Sequence, residues 1–132
     1  MYAPVIDSAR RVREHRLGPS HFAVLLTDIV GPSRVQYAHL LVIFAAGRED
    51  PIAFISAEAK GDPRALFAEL GLDGFDESDV VDNQPGSHFL CAFTDRGHLN
   101  FGASDDWADL QQFERGALEL VDRLKLLDGD GR

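Results

Sequence analysis

The sequence predicts an α+β domain: a single antiparallel β-sheet of about five strands with helices packed on it, in the element order α-β-β-β-α-β-β-α. Three observations carry this expectation. Apolar-rich runs are separated by short turn signals of the kind that join antiparallel neighbours. The helical patterns flank these runs and do not alternate with each of them, so no parallel crossover is required. The stretch Gly86 to Leu127 reads as a tight hairpin running straight into an amphipathic helix.

The first expected element is a helix. Pro4 suits a first turn, and Val5–Leu17 can follow it with Ile6, Ala9 and Val12 inward until Gly18-Pro19 ends it. Arg10, Arg11, Arg13 and Arg16 then line the exposed side. Such a charge run reads as a solvated face, and its sharper alternative is a docking surface for acid, the chain's own included. His21–Ile29 is the first expected strand, followed by a Gly31-Pro32-Ser33 turn. Val35–Ala46 is the second and most apolar strand, and Ile52–Glu58 returns as the third. These middle strands are apolar on both faces, which calls for cover on both sides.

Asp62 caps a short expected helix with Pro63 in its first turn and Ala65, Leu66, Phe67 and Leu70 along it. An acidic loop, Asp73–Ser87, follows. Its aspartates recur every third residue, which is the wrong spacing for an EF-hand. The runs His88–Thr94 and His98–Ala103 flank Asp95-Arg96-Gly97, read as a three-residue loop with Gly97 at a G1 bulge. That loop sets Thr94 opposite His98 and Cys91 opposite Phe101. One face then holds Phe89, Cys91, Phe93, Leu99, Phe101 and Ala103, and the other holds His88, His98 and Asn100. Ser104 is the expected N-cap of the last helix, with Asp105, Asp106 and Asp109 in its first turn. Its stripe of Leu110, Phe113, Ala117, Leu120, Val121 and Leu124 is expected to cover the Phe93 and Phe101 face, with Trp107 at the border.

The bounds are ordinary for a globular chain. The 132 residues are read as one domain, residues 1–132, with 45% hydrophobic and 27% charged content. A net charge of −9 argues against nucleic-acid binding, which needs clustered Lys and Arg. The single Cys91 excludes an internal disulfide and suits a reducing compartment. There is no signal-peptide layout, and the longest apolar run, Leu40–Ala46, is too short to span a bilayer, so a cytoplasmic protein without membrane contact is expected.

Motifs are scarce. The chain contains no P-loop, no dinucleotide fingerprint, no G-x-S-x-G elbow, no H-E-x-x-H and no cysteine pair, so neither catalytic residues nor a cofactor nor a metal are expected. A thiol dyad of Cys91 with a histidine is disfavoured because the hairpin register puts them on opposite faces. The remaining candidate ligand site is the polar end of the hairpin: His88, His98, Asn100, Asp105 and Asp106, joined by His39 and His21 if the sheet order allows.

The element order, small size and acidity are similar to the acidic chaperones of type III secretion. That resemblance implies a sheet-and-helix fold working as a dimer, and it carries no site residue across. Two function classes follow. The preferred one is a non-enzymatic protein-interaction module of chaperone, immunity or adaptor kind. The alternative is a small-molecule-binding domain or small enzyme using the histidine face. A homodimer is expected from Tyr37, Leu41, Ile43, Ala53 and Ile55, which the three expected helices leave without evident cover.

Overall fold

In the computed structural model the described residues are 4–31, 36–59 and 86–125. They form one antiparallel sheet of six strands in the order β1-β2-β3-β4-β5-β6, every strand pairing with its neighbour in sequence. The strands are β1 (Ser8–Arg16), β2 (His21–Val30), β3 (Tyr37–Ala45), β4 (Ala53–Ala59), β5 (His88–Thr94) and β6 (Gly97–Ser104). A 3-10 turn, Asp105–Ala108, leads into α1, Leu110–Arg123. Antiparallel α+β architecture is thus present with six strands instead of five, and α1 is the one α-helix among the described residues. The expected helix after Asp62 and the acidic loop lie outside the described residues.

The N-terminal expectation is corrected, because β1 is a strand. Its register against β2 shifts twice, between Ser8 and Arg10 and between Arg11 and Arg13. The first shift places the extra residue on β2, between Thr27 and Val30, and the second places it on β1, at Val12. The less exposed positions of β1 are Ala9, Val12 and His15, three residues apart. That spacing imitates a helix in sequence. With the first element a strand, the element order behind the chaperone resemblance does not hold.

Three of the four arginines of β1 meet the chain's own acids. Arg10 pairs with Asp28 at 2.7 Å and Arg11 with Glu14 at 2.6 Å. Glu114 of α1 accepts from Arg13 Nε at 2.9 Å and from His15 Nε2 at 2.7 Å. These last two contacts tie the helix to the edge strand. The exposed pairs contribute little individually, but charge along an open edge also discourages pairing with other chains.

α1 covers one face of the sheet. Phe113, Ala117, Leu120 and Val121 pack on Ala23, Leu25, Leu41, Ile43, Ala53, Ile55, Ala57, Leu90 and Ala92. Leu41, Ile43 and Ile55 are 0% exposed and Ala53 is 1% exposed. These four were expected to lack cover, and they are instead the centre of the core. One helix shields a wider area when its stripe faces small residues such as Ala23, Ala57 and Ala92. Tyr37 lies elsewhere, half-buried beside Phe93, with ring centroids 6.3 Å apart.

A buried histidine docks the helical segment. His39 Nε2 donates to the carbonyl of Ala108 at 2.8 Å, and its Nδ1 lies 2.9 Å from Thr27 Oγ1. Because a carbonyl only accepts, Nε2 carries a proton and is the donor of that bond. The end of the 3-10 turn is thereby fixed over β3. Ser104 caps the 3-10 turn by accepting from Asp106 N at 3.1 Å, whereas α1 has its own cap in Asp109, which accepts from Gln112 N at 3.0 Å. Trp107 packs against Gly116: a β-carbon there would come within 2.7 Å of the indole Cη2. A mid-helix glycine costs about 1 kcal/mol in propensity, and here it makes room for the largest side chain at the border.

Among the described residues, no helix is long and apolar enough to cross a membrane.

Candidate functional site

The β5–β6 hairpin decides the site. Its loop is two residues, Asp95-Arg96, with Thr94 paired to Gly97, Phe93 to His98, Ala92 to Leu99 and Cys91 to Asn100. The expected three-residue loop would have shifted each pair by one. Thr94 Oγ1 accepts from Arg96 N at 3.0 Å, a side-chain turn that draws the loop tight, and Gly97 takes φ of 104°. A register shift then follows between Phe89 and Cys91, after which Phe89 pairs with Ala103 as expected. Gly102, with φ of 103°, and Asn100 Oδ1, which accepts from Gly102 N at 2.8 Å, shape this bulge.

The faces change accordingly. On β5 it is Leu90 and Ala92 that join the core under α1, while Phe101 packs against it from β6 and Leu99 pairs with Ala92. Phe89, Cys91 and Phe93 turn to the face opposite α1, which is helix-free among the described residues. Phe93 was expected beneath α1; it instead stands edge-on to Phe54 and His98, with centroids 6.5 and 4.7 Å apart. His98 was expected on the face opposite Cys91, and the two are on the same one.

On that helix-free face three strands bring three groups together. Ser56 pairs with Cys91 across β4 and β5, and Glu58 is one alternation further along β4, opposite Phe89. His98 enters from β6 opposite Phe93. Glu58 and His98 therefore reach toward each other across Cys91 and meet at 2.8 Å, Nε2 to Oε2. One ligand atom from each of Glu58, Cys91 and His98 lies within 4.8 Å of the others. Ser56 Oγ donates to Glu58 Oε2 at 2.9 Å.

Glu58 is 8% exposed and Cys91 is 1% exposed, whereas the His98 side chain is 37% exposed and forms the open side. Burial, then the hydrogen bond to Glu58 and its charge, push the Cys91 thiol well above the usual cysteine range. Such a thiol holds its proton at neutral pH. A nucleophilic dyad is therefore unsupported even though the imidazole is near.

The other candidates are scattered. His88 is on the α1 side of β5, with Nδ1 2.7 Å from Ser87 Oγ, and desolvation followed by repulsion from His39 lowers its pKa below 6.5, against the opposing pull of Asp105. Asn100 is occupied by the bulge. Asp105 and Asp106 are exposed in the 3-10 turn. His39 serves the helix dock and His21 is buried near the far end of β2. The structure thus keeps one of the five expected ligand residues, His98, in the cluster and adds Glu58, Cys91 and Ser56. No local motif announces these, since they are spread over three strands and meet only through the register.

Comparison with family models, with curated proteins and with solved structures returns no match for this chain.

Proposed function

We propose that the protein is a small non-enzymatic binding module whose site is the Glu58–Cys91–His98 cluster on the helix-free face. The observation that carries this reading is the convergence of carboxylate, thiol and imidazole above the centre of a three-strand platform. These groups are half-enclosed, with one side open at His98. Burial of the thiol speaks for capture of a ligand over covalent catalysis. The reading requires a reduced Cys91, as a cytoplasmic compartment supplies. It takes up the small-ligand alternative of the sequence reading, moved from the outer histidines to a cluster that includes one of them.

The test is a thermal-shift screen of the full chain against metal ions and metabolites. A ligand at 100 times its Kd stabilises the folded state by about 2.7 kcal/mol. A hit is expected to vanish in His98→Ala. A hit that survives this change, together with unchanged binding in Glu58→Gln, puts the site elsewhere.

A second reading keeps the protein-interaction module, working as a homodimer. Its support is a parallel-stacked pair, Phe22 and Phe44, with centroids 5.1 Å apart and half-buried on the helix-free face of β2 and β3. Two-fold burial of such a patch against a second copy is the commonest way to cover it. Light scattering coupled to size exclusion tests it: a mass of 14.5 kDa at every dilution ends the dimer.

A further inference from the structure

We propose that Glu58, Cys91 and His98 are three ligands of a thiophilic divalent cation of the zinc class, with a fourth position open to water beside His98. The proposal rests on the reading of this cluster as the binding site and names its ligand.

The donor set selects the ion. One sulfur, one imidazole nitrogen and one carboxylate oxygen suit Zn²⁺ and its relatives, whereas Ca²⁺ and Mg²⁺ take oxygen ligands. The geometry is close to what such an ion needs. Bonds of about 2.0 Å to nitrogen and oxygen and 2.3 Å to sulfur put tetrahedral ligand atoms about 3.3–3.6 Å apart. His98 and Glu58 are at 2.8 Å, hydrogen-bonded, and all three ligand atoms lie inside 4.8 Å. Opening the imidazole–carboxylate contact by about half an ångström admits the ion, and a rotamer adjustment of His98, the most exposed of the three, suffices for that.

The surroundings fit as well. Ser56 Oγ, already donating to Glu58 Oε2, would orient the carboxylate from outside the coordination sphere. Phe93 stands against the His98 ring and restrains its swing. Three strands hold the three ligands, so the platform is rigid and only the outermost side chain need move. On binding, Cys91 releases its proton to solvent and coordinates as thiolate, since a cation at bonding distance deprotonates a thiol outright. Three protein ligands leave one coordination position free, whereas a purely structural zinc site is closed by four.

The experiment is a titration of the reduced full chain with Co²⁺ alone, followed by absorbance. The expected result is thiolate-to-cobalt charge transfer with the intense visible bands of tetrahedral Co²⁺, saturating at one equivalent and bleached by Zn²⁺. Cys91→Ser should lose the charge-transfer band. Ser56→Ala, which leaves all three ligands in place, should weaken binding by about tenfold. Far-ultraviolet circular dichroism and a cooperative melt establish that each variant is folded. A folded wild-type chain that leaves Co²⁺ pale and octahedral overturns the proposal, as does an unchanged spectrum in Cys91→Ser. If Co²⁺ fails while a metabolite stabilises the wild type and not His98→Ala, the binding reading stands without the metal. If neither binds, both fall.

Discussion

Cys91 carries the clearest consequence of burial at the scale of a residue. It is 1% exposed, hydrogen-bonded to Glu58 and pushed up in pKa, so the native thiol should be inert. Ellman's reagent at mildly alkaline pH should titrate no thiol in the metal-free folded protein and one after denaturation. Rapid reaction in the native state would mean that the cluster does not enclose Cys91. His88 makes a second prediction, with its sign fixed by linkage. Its folded-state pKa is lowered, so the unfolded chain binds more protons in the window below 6.5. His88 therefore contributes full stability above that value and loses it as pH falls through the window. Urea midpoints measured across it should drop with acid less steeply in His88→Gln than in the wild type. Parallel curves would show that His88 titrates alike in both states.

At the scale of elements, the helical end was readable almost residue by residue. The stripe of Phe113, Ala117, Leu120 and Val121 packs as its spacing implies, and Ser104 is a cap. What the pattern could not reveal is the division of labour between two caps, because Ser104 and Asp109 are both good N-cap residues. Asp109→Ala should cost about 1 kcal/mol, since it removes the cap of α1 itself, and Ser104→Ala should cost less because it frees only the 3-10 turn. Chemical unfolding of both variants checks the order; the reverse order would make Ser104 the true start of the helix. The failures in reading β1 and the hairpin both lie in register, through bulges in the first case and loop length in the second. Bulges change the period of a strand, and single-sequence periodicity has no means of counting them. At β1 one bulge on the strand and one on its partner β2 accompany a three-residue spacing of the less exposed side chains, which imitated a helix. At β5–β6 a loop one residue shorter than expected exchanged the β5 faces and hid the cluster.

At the scale of the whole molecule, the described residues form a six-strand meander with a helix on one face and aromatic and polar groups on the other. Composition and turn signals were enough for the class, a single antiparallel sheet, because they depend on no register. The site depended on register throughout, so none of Glu58, Cys91 and His98 could be joined before the strand order and loop length were known. The expected dimer patch failed for a related reason: Ile43 is 0% exposed beneath α1. Ile43→Asp should therefore abolish the cooperative melt by burying an unpaired charge. A folded monomer carrying this change would return Ile43 to an interface.

The central claim is that the hairpin register brings His98 and Glu58 together over Cys91. A double-mutant cycle of Glu58→Gln and His98→Ala, read by urea unfolding of the metal-free protein at mildly acidic pH, tests it most directly. The hydrogen bond between these two groups predicts a coupling of about 1 kcal/mol. Additivity within about 0.3 kcal/mol would contradict the account, since it would place His98 and Glu58 out of contact.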